Sequence, residues 1–133
     1  MGGLVATAVA QRFPERVAGL VLAASTPCLH QTDDWSYGLA PDTIAATRAG
    51  LDQDYVATVS QFLRINLRGS SAGRAMLERV IEDLSAAPPT PRGLSHGLDI
   101  IQQADLRAGL SRIACPAWLV GGRLDRLAHP EAM

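Results

Sequence analysis

Asp125 ends the segment VGGRLD (residues 120–125), in which a Gly-Gly pair follows an apolar run. A carboxylate in such a turn can orient a histidine that takes a proton from a serine or cysteine nucleophile. Aspartate is also common in ordinary turns, so a plain turn role stays an alternative. On these residues alone, the catalytic interpretation stays open beside it.

Histidine would be the base in this chemistry, and the chain has three histidines. His129 follows Asp125 by only four residues and is interpreted as a surface or helix-start residue. His96 lies in a predicted helix, where a structural or exposed role is expected. His30 lies in a loop, where a simple loop role is favoured over a place at a pocket rim.

A nucleophile is harder to find among these residues. Ser25, Ser70 and Ser71 lack the flanking glycines of a nucleophile turn, so caps or turns are predicted for them. Cys28 would need a nearby base and a lowered pKa. The sequence indicates neither, and a buried thiol is predicted at Cys28.

Composition excludes several classes of protein. The chain has 133 residues, 47% of them hydrophobic and 19% charged, with a formal net charge of −1. A nucleic-acid partner is not expected because there is no basic excess to neutralise phosphates. No apolar run approaches the length that spans a bilayer. The two cysteines, Cys28 and Cys115, fit neither metal-ligand spacing nor a disulfide framework, so we predict two buried thiols, no metal site and a reducing, cytoplasmic location.

Elements that would position these residues alternate between strands and helices. A helix is predicted over 2–13, ended by Pro14, and a continuous apolar run over 17–24 predicts a strand buried on both faces. Four amphipathic helices follow, over 41–51, over 54–67, from Ser70 or Ser71 to residue 84, and around 94–101. A second strand is predicted over 113–120. This order favours an α/β fold with a parallel sheet and an inserted helical module.

Both ends of the chain fall inside predicted helices. Met1-Gly2-Gly3 leads directly into a helical pattern, and the chain stops at Met133 within the first turn of another helix. Because such ends leave apolar faces uncovered, we expect a fragment.

Two segments resemble the α/β-hydrolase superfamily. Met1-Gly2-Gly3 is similar to the residues that follow the nucleophile in the Gly-x-Ser-x-Gly turn of that superfamily. Side chains at these glycines would collide with neighbouring elements at the sharp turn. Residues 120–125 are similar to the turn that delivers the carboxylate of the catalytic triad, and the chain order of Ser, Asp and His also agrees.

A closer resemblance covers essentially the whole chain. It is to the carboxylesterases of biotin synthesis, which hydrolyse the methyl ester of pimeloyl-acyl-carrier protein. The motifs that carry it are Pro14-Glu15-Arg16-Val17, Ala24-Ser25-Thr26-Pro27-Cys28, Asp34-Trp35, Gln61-Phe62-Leu63, Gly97-Leu98-Asp99-Ile100 and Asp105-Leu106-Arg107.

This resemblance implies roles for individual residues and no cofactor. Asp125 would be the triad carboxylate, and the backbone N–H of Met1 would help to form the oxyanion hole. Arg74 would contact the acidic carrier protein. The acyl pocket would be lined by Phe62, Leu63, Arg64, Ile65 and Asn66.

Some arginines of the family are replaced here. Ala57, Gln61 and Glu78 stand where the family has arginine, and Arg68 and Arg79, with Arg64, are candidates for replacement charge. These replacements affect the expected contact with the carrier protein more than the expected ester hydrolysis.

The resemblance also implies a division of the chain and an incomplete site. Core elements are expected over 1–25 and 107–133, and a helical lid with its entry loop over 26–106. The serine and the histidine of the triad are expected outside the chain, so the chain alone is expected to be inactive and the full-length enzyme to be a monomer. Two alternatives stay open, another α/β-hydrolase such as an enol-lactonase or a peroxidase-like esterase, and a non-catalytic binding module of the lid type.

Overall fold

The structure is a computed structural model and describes residues 1–66 and 73–133. The chain divides into two compact units. The core unit comprises Met1–Pro41 and Asp99–Met133, and the helical unit comprises Asp42–Leu98. The helical unit is therefore shorter than the predicted lid segment 26–106, whose flanks belong to the core unit. The assignment of a lid role to that segment stays a prediction.

The first helix confirms its prediction within one residue. Helix α1 spans Gly2–Arg12 and a 3-10 turn follows at Pro14–Arg16. The helix ends there because proline clashes with a continuing helix. Its buried residues are Leu4, Thr7, Ala10 and Gln11, whose spacing places them on one face.

In the described part of the chain, two strands form the sheet, and they are parallel as predicted. Strand β1 spans Leu20–Ala23 and strand β2 spans Ala117–Val120. Leu20 is paired with Ala117 and Ala23 with Val120. The strands are shorter than the predicted runs over 17–24 and 113–120. Pro116 directly precedes β2, and it joins the sheet only through its carbonyl, which accepts the Leu20 N–H at 2.9 Å.

The prediction that the strands are buried on both faces is wrong for this chain. Leu20 is buried, but Val21 is 67% exposed and all four residues of β2 are exposed, Trp118 by 58%. Helix α1 packs against β1. Because successive side chains of a strand point to opposite faces, a helix on one face leaves the other uncovered.

Four helices follow one another, as predicted. They are α2 over Pro41–Gln53, α3 over Tyr55–Asn66, α4 over Gly73–Ala86 and α5 over Pro91–Gln103. Asp54 caps α3, since its Oδ1 accepts the N–H of Ala57 at 2.9 Å. The predicted cap at Ser70 or Ser71 lies outside the described residues. Helix α3 packs against α4, and the Tyr55 hydroxyl donates to the Leu84 carbonyl.

Candidate functional site

The carboxyl ends of the two strands lie side by side. The N–H of Ala24, just after β1, donates to the Val120 carbonyl at the end of β2, at 2.8 Å. Helix α1 begins at the same edge, because a Cβ atom at Gly3 would overlap the Ser25 side chain and lie 3.7 Å from Leu22 Cδ2. In α/β folds, ligands bind at the carboxyl edge of a parallel sheet.

The two glycines that begin α1 differ in their surroundings. The expected collision of a side chain with neighbouring elements holds at Gly3, where Ser25 occupies the space. At Gly2 the expectation is wrong, because no atom lies within 4 Å of an added Cβ. Close packing against the strand end therefore requires only the second glycine.

Asp125 lies in a turn at this edge. Its N–H donates to the Gly122 carbonyl at 3.0 Å. Its Oδ1 accepts the N–H groups of Leu127 at 2.9 Å and Ala128 at 3.0 Å. The carboxylate is half-buried and fixed to the backbone that follows it. The plain turn role is thus present in the structure, and the two backbone bonds also set the direction of the carboxylate.

Tyr37, which the sequence motifs did not single out, contacts the segment after Asp125. Its hydroxyl donates to Glu131 Oε2 at 3.0 Å, and this bond raises the pKa of Tyr37. Its ring stacks on His129, with the centroids 5.3 Å apart, and meets the Trp35 ring edge-on at 5.0 Å. A pair of aromatic residues in the loop was the available signal, but the contact joins residues 94 positions apart.

His129 has the helix-start role that was predicted. It precedes the 3-10 turn Pro130–Ala132, and its Nδ1 accepts the Glu131 N–H at 3.2 Å. The ring nitrogen that faces the backbone is therefore engaged in capping the turn.

Cys28 is the buried thiol that was predicted. It is fully buried, and burial raises its pKa, which disfavours the thiolate that a nucleophile requires. The neighbouring His30 donates from Nδ1 to the Ile101 carbonyl at 3.1 Å. Cys115 was also predicted to be buried, and this is wrong. It is half-buried, because it lies just before the poorly covered strand β2.

Arg107 joins several of the motif residues in the loop cluster, by which we mean residues 26–40 and 105–107. Its guanidinium contacts Asp105 at 2.6 Å and Asp34 at 3.1 Å and lies over the Trp35 ring, 5.0 Å from the centroid. Hydrogen bonds from Arg107 hold the pKa values of both carboxyls below their usual range. The Asp34-Trp35 and Asp105-Leu106-Arg107 motifs are therefore one structural unit.

Backbone groups close the loop cluster. The Leu106 N–H donates to the Pro27 carbonyl at 3.0 Å, and Trp35 Nε1 donates to the Cys28 carbonyl at 3.2 Å. Gln11 of α1 donates from Nε2 to the Leu106 carbonyl at 2.9 Å. These bonds give the motif residues a role in holding the loops, independent of any reaction.

The predicted acyl-pocket residues belong to the helical unit. Phe62 and Ile65 are exposed on α3, three residues apart and so on one face, and Met76 is exposed on α4. Leu63 is half-buried and Arg64 exposed.

Asn66, predicted to line the pocket, ends α3, and Arg74, predicted to contact the carrier protein, lies in the first turn of α4; the structure describes the backbone of these two residues and not their side chains. Glu78 and Arg79 on α4 are exposed.

Comparison with known proteins identifies the fold family. The family profile of the alpha/beta hydrolase fold matches residues 1–133. The chain belongs to the α/β-hydrolase fold family. Its parallel strands and the carboxyl-edge turn of Asp125 are consistent with that fold.

One curated relative of this α/β-hydrolase is a protein of Nitrosomonas europaea named pimeloyl-[acyl-carrier protein] methyl ester esterase. It is 40% identical over 126 residues, which are 94% of this chain and 50% of the relative. The chain spans about half the length of the curated relatives it matches.

Two solved structures share the fold. An esterase from Exiguobacterium antarcticum has a TM-score of 0.83 at 23% identity, and the match covers 98% of this chain and 48% of the esterase. A bromoperoxidase from Bacillus anthracis has a TM-score of 0.80 at 21% identity, over 98% of this chain and 49% of the other. At these identities the likeness shows the fold alone.

Two observations concern metal binding and membrane crossing by this α/β-hydrolase. In residues 1–66 and 73–133, no three His, Cys, Asp or Glu side chains are grouped so that they could hold a metal ion. No helix in the same ranges is long and apolar enough to cross a membrane.

Proposed function

We propose that this chain forms part of a serine carboxylesterase that hydrolyses the methyl ester of pimeloyl-acyl-carrier protein. The observation that carries the proposal is that the carboxyl ends of the two strands lie side by side, with the start of α1 packed on Ser25 after β1 and the Asp125 turn following β2. The substrate is taken from the name of the relatives, two of which are 40% and 38% identical to this chain.

The reaction divides between residues of this chain and residues outside it. A serine hydroxyl outside residues 1–133 attacks the ester carbonyl while a histidine, also outside them, takes its proton. The same histidine returns the proton to the departing methanol. Water then hydrolyses the acyl-enzyme in the same way. Asp125 holds that histidine in the required tautomer and stabilises its protonated form.

The start of α1 has the second role. The developing oxyanion needs backbone N–H donors, and the proposal assigns one of them to Met1. When Met1 is the first residue it carries an ammonium group in place of a peptide N–H, so the donor takes its proposed form only when a residue precedes it.

The helical unit is proposed as the lid. Phe62 and Ile65 on α3 and Met76 on α4 expose apolar surface, which suits an acyl chain. Residues 42–98 contain six arginines and six acidic residues, so the unit has no net positive charge. Contact with an acidic carrier protein therefore depends on individual arginines, for which Arg74, Arg64 and Arg79 are proposed.

A hybrid enzyme tests the reaction. Residues 1–133 replace the matched segment of the Nitrosomonas europaea relative, and methanol release from pimeloyl-acyl-carrier protein methyl ester is measured. The isolated chain and the unmodified relative serve as controls. The proposal expects hydrolysis by the hybrid and none by the isolated chain.

Two results would count against it. A hybrid that melts cooperatively, as the relative does, but hydrolyses no ester contradicts the esterase proposal and favours a binding module. A hybrid that hydrolyses a lactone or a p-nitrophenyl ester but not the carrier-protein ester supports the proposed ester hydrolysis and contradicts the proposed substrate.

A further inference from the structure

We propose that Tyr37 is a positioning residue for Asp125, acting through the segment 129–131. The catalytic meaning of this inference rests on the proposed function, whereas the effect on the Asp125 turn does not.

The chain before Asp125 is restrained by the bond from the Asp125 N–H to the Gly122 carbonyl and by the Met133 side chain, which lies against Gly121 and itself follows Asp125. Gly121 and Gly122 are exposed and have the widest backbone freedom of any residue. Leu124 is 85% exposed and so packs against little. The position of Asp125 must therefore be set mainly by the residues that follow it.

Those following residues are restrained in two ways. Asp125 Oδ1 accepts the N–H groups of Leu127 and Ala128, and Ala128 is only 2% exposed. One and three residues further on, Tyr37 stacks on His129 and donates to Glu131 Oε2. The turn is thus held by its own hydrogen bonds, and the Tyr37 side chain of the loop cluster holds the residues that follow it.

Tyr37 is itself held. Its ring meets Trp35, whose Nε1 donates to the carbonyl of the fully buried Cys28. The next residue, Gly38, has a φ of 90°, and a Cβ there would lie 2.6 Å from the Leu29 carbonyl carbon and oxygen. Because Tyr37 is held by Trp35 and by the restrained backbone at Gly38, it can restrain the turn that it contacts.

Position matters for a triad carboxylate, because a misplacement of about 1 Å can cost on the order of a hundredfold in rate. Removing the Tyr37 side chain leaves every charge of the triad in place. The expected consequence is a misplaced Asp125.

Hydrogen exchange on the 133-residue chain tests the restraint. The amides of Leu127 and Ala128 report on the turn, and the amides of α1 report on the fold. Tyr37→Ala is expected to speed exchange at the two turn amides by about tenfold with α1 unchanged. As the control, Tyr55→Phe removes a tyrosine–carbonyl bond of the helical unit and should leave the turn amides unchanged. Unchanged exchange in Tyr37→Ala, or an equal rise throughout α1, overturns the inference.

A double-mutant cycle decides the matter if Tyr37→Ala fails to fold. Tyr37→Phe and Glu131→Ala each remove the same hydrogen bond and keep the stacked ring. Each is expected to speed exchange at the turn amides by a few-fold, and the double variant no more than either alone. Additive effects contradict the proposed connection.

The hybrid esterase supplies a readout that a purely structural residue would not move. Tyr37→Ala should lower kcat by about ten- to a hundredfold with KM unchanged, and Tyr37→Phe should recover most of the loss. A rise in KM with kcat unchanged overturns the catalytic part. If the unsubstituted hybrid has no activity, the proposed function fails, and the exchange experiment still decides whether Tyr37 positions the turn.

Discussion

The loop cluster and the two-stranded sheet belong to the same core unit, yet they differ in what is buried and bonded. The loop cluster fixes its side chains, whereas the sheet pairs its backbone and leaves side chains exposed. The loop cluster is irregular, but it buries Cys28 completely and ties Asp34, Asp105 and Trp35 to Arg107. The sheet is regular, but β2 leaves all four of its apolar side chains exposed.

The difference shows that regular pairing of the backbone does not ensure that the side chains are buried. In β1 and β2 the backbone groups pair with each other while Val21 and Trp118 remain in contact with water. In the loop cluster, side chains such as Trp35 and Thr26 add hydrogen bonds to a smaller set of backbone bonds, such as that from the Leu106 N–H to the Pro27 carbonyl. We therefore expect substitutions in the loop cluster to be costly and substitutions on the exposed sheet to be mild.

Gly38→Ala should have the largest effect on stability. The backbone φ of 90° is unfavourable for alanine, and the added Cβ would meet the Leu29 carbonyl at 2.6 Å. We expect a loss of about 2–4 kcal/mol in the free energy of unfolding, measured by urea denaturation. The matched control is Gly2→Ala, which adds the same methyl group where no atom lies within 4 Å. Equal losses of unfolding free energy in the two variants would contradict the expectation that substitutions in the loop cluster are costly.

Thr26→Val should come next. Thr26 is buried and its hydroxyl donates to the Cys28 carbonyl at 3.1 Å, so valine keeps the shape and removes one donor, leaving that carbonyl with Trp35 Nε1. We expect a loss of about 1–2 kcal/mol in the free energy of unfolding. Thr43→Val on the exposed surface of α2 is the control and should change little. A Thr26 variant as stable as this control would contradict the structural role of the loop cluster.

The Arg107 ion pairs should contribute a smaller, pH-dependent part of the stability of the folded chain. The pKa values of Asp34 and Asp105 are lowered in the folded chain, so their stabilisation is present above the unfolded pKa of about 4 and is lost as pH falls through the lowered values. Arg107→Gln should lower Tm at pH 7, and the difference from the wild type should shrink towards pH 3. A difference that stays constant over this range would show that packing on Trp35, not charge, is responsible.

The exposed sheet should tolerate change best. Val21→Thr replaces an exposed apolar side chain while keeping a residue suited to strands. We expect a change within about 0.5 kcal/mol in the free energy of unfolding, and less self-association measured by light scattering. A loss as large as that of Thr26→Val would mean that the face of β1 is covered in solution.

Features that depend on residues close together in the sequence could be predicted from local patterns. Helical spacing predicted α1 and the four helices of α2–α5, and continuous apolar runs predicted two parallel strands. The glycine pair drew attention to Asp125, and the absence of any sequence signal for a base near Cys28 predicted a buried thiol.

Contacts between distant parts of the chain could not be predicted in the same way. An apolar run does not say what covers it, so the exposure of β2 and Cys115 was missed. The spacing of Gly2 and Gly3 does not say which of them faces Ser25. The contact of Tyr37 with Glu131 depends on the folding of the loop cluster, which no local pattern contains.

The central claim is that Asp125 is the carboxylate of an ester-hydrolysing triad, and Asp125→Asn in the hybrid enzyme tests it most directly. Asparagine fits the same turn but stabilises the wrong tautomer of the histidine. The account predicts that kcat falls by about 10⁴-fold with the melting temperature nearly unchanged. The same change at an exposed carboxylate of α2, Asp52→Asn, is predicted to leave kcat unaltered. If Asp125→Asn retains the activity of the Asp52→Asn control, Asp125 is only a turn residue and the account is wrong.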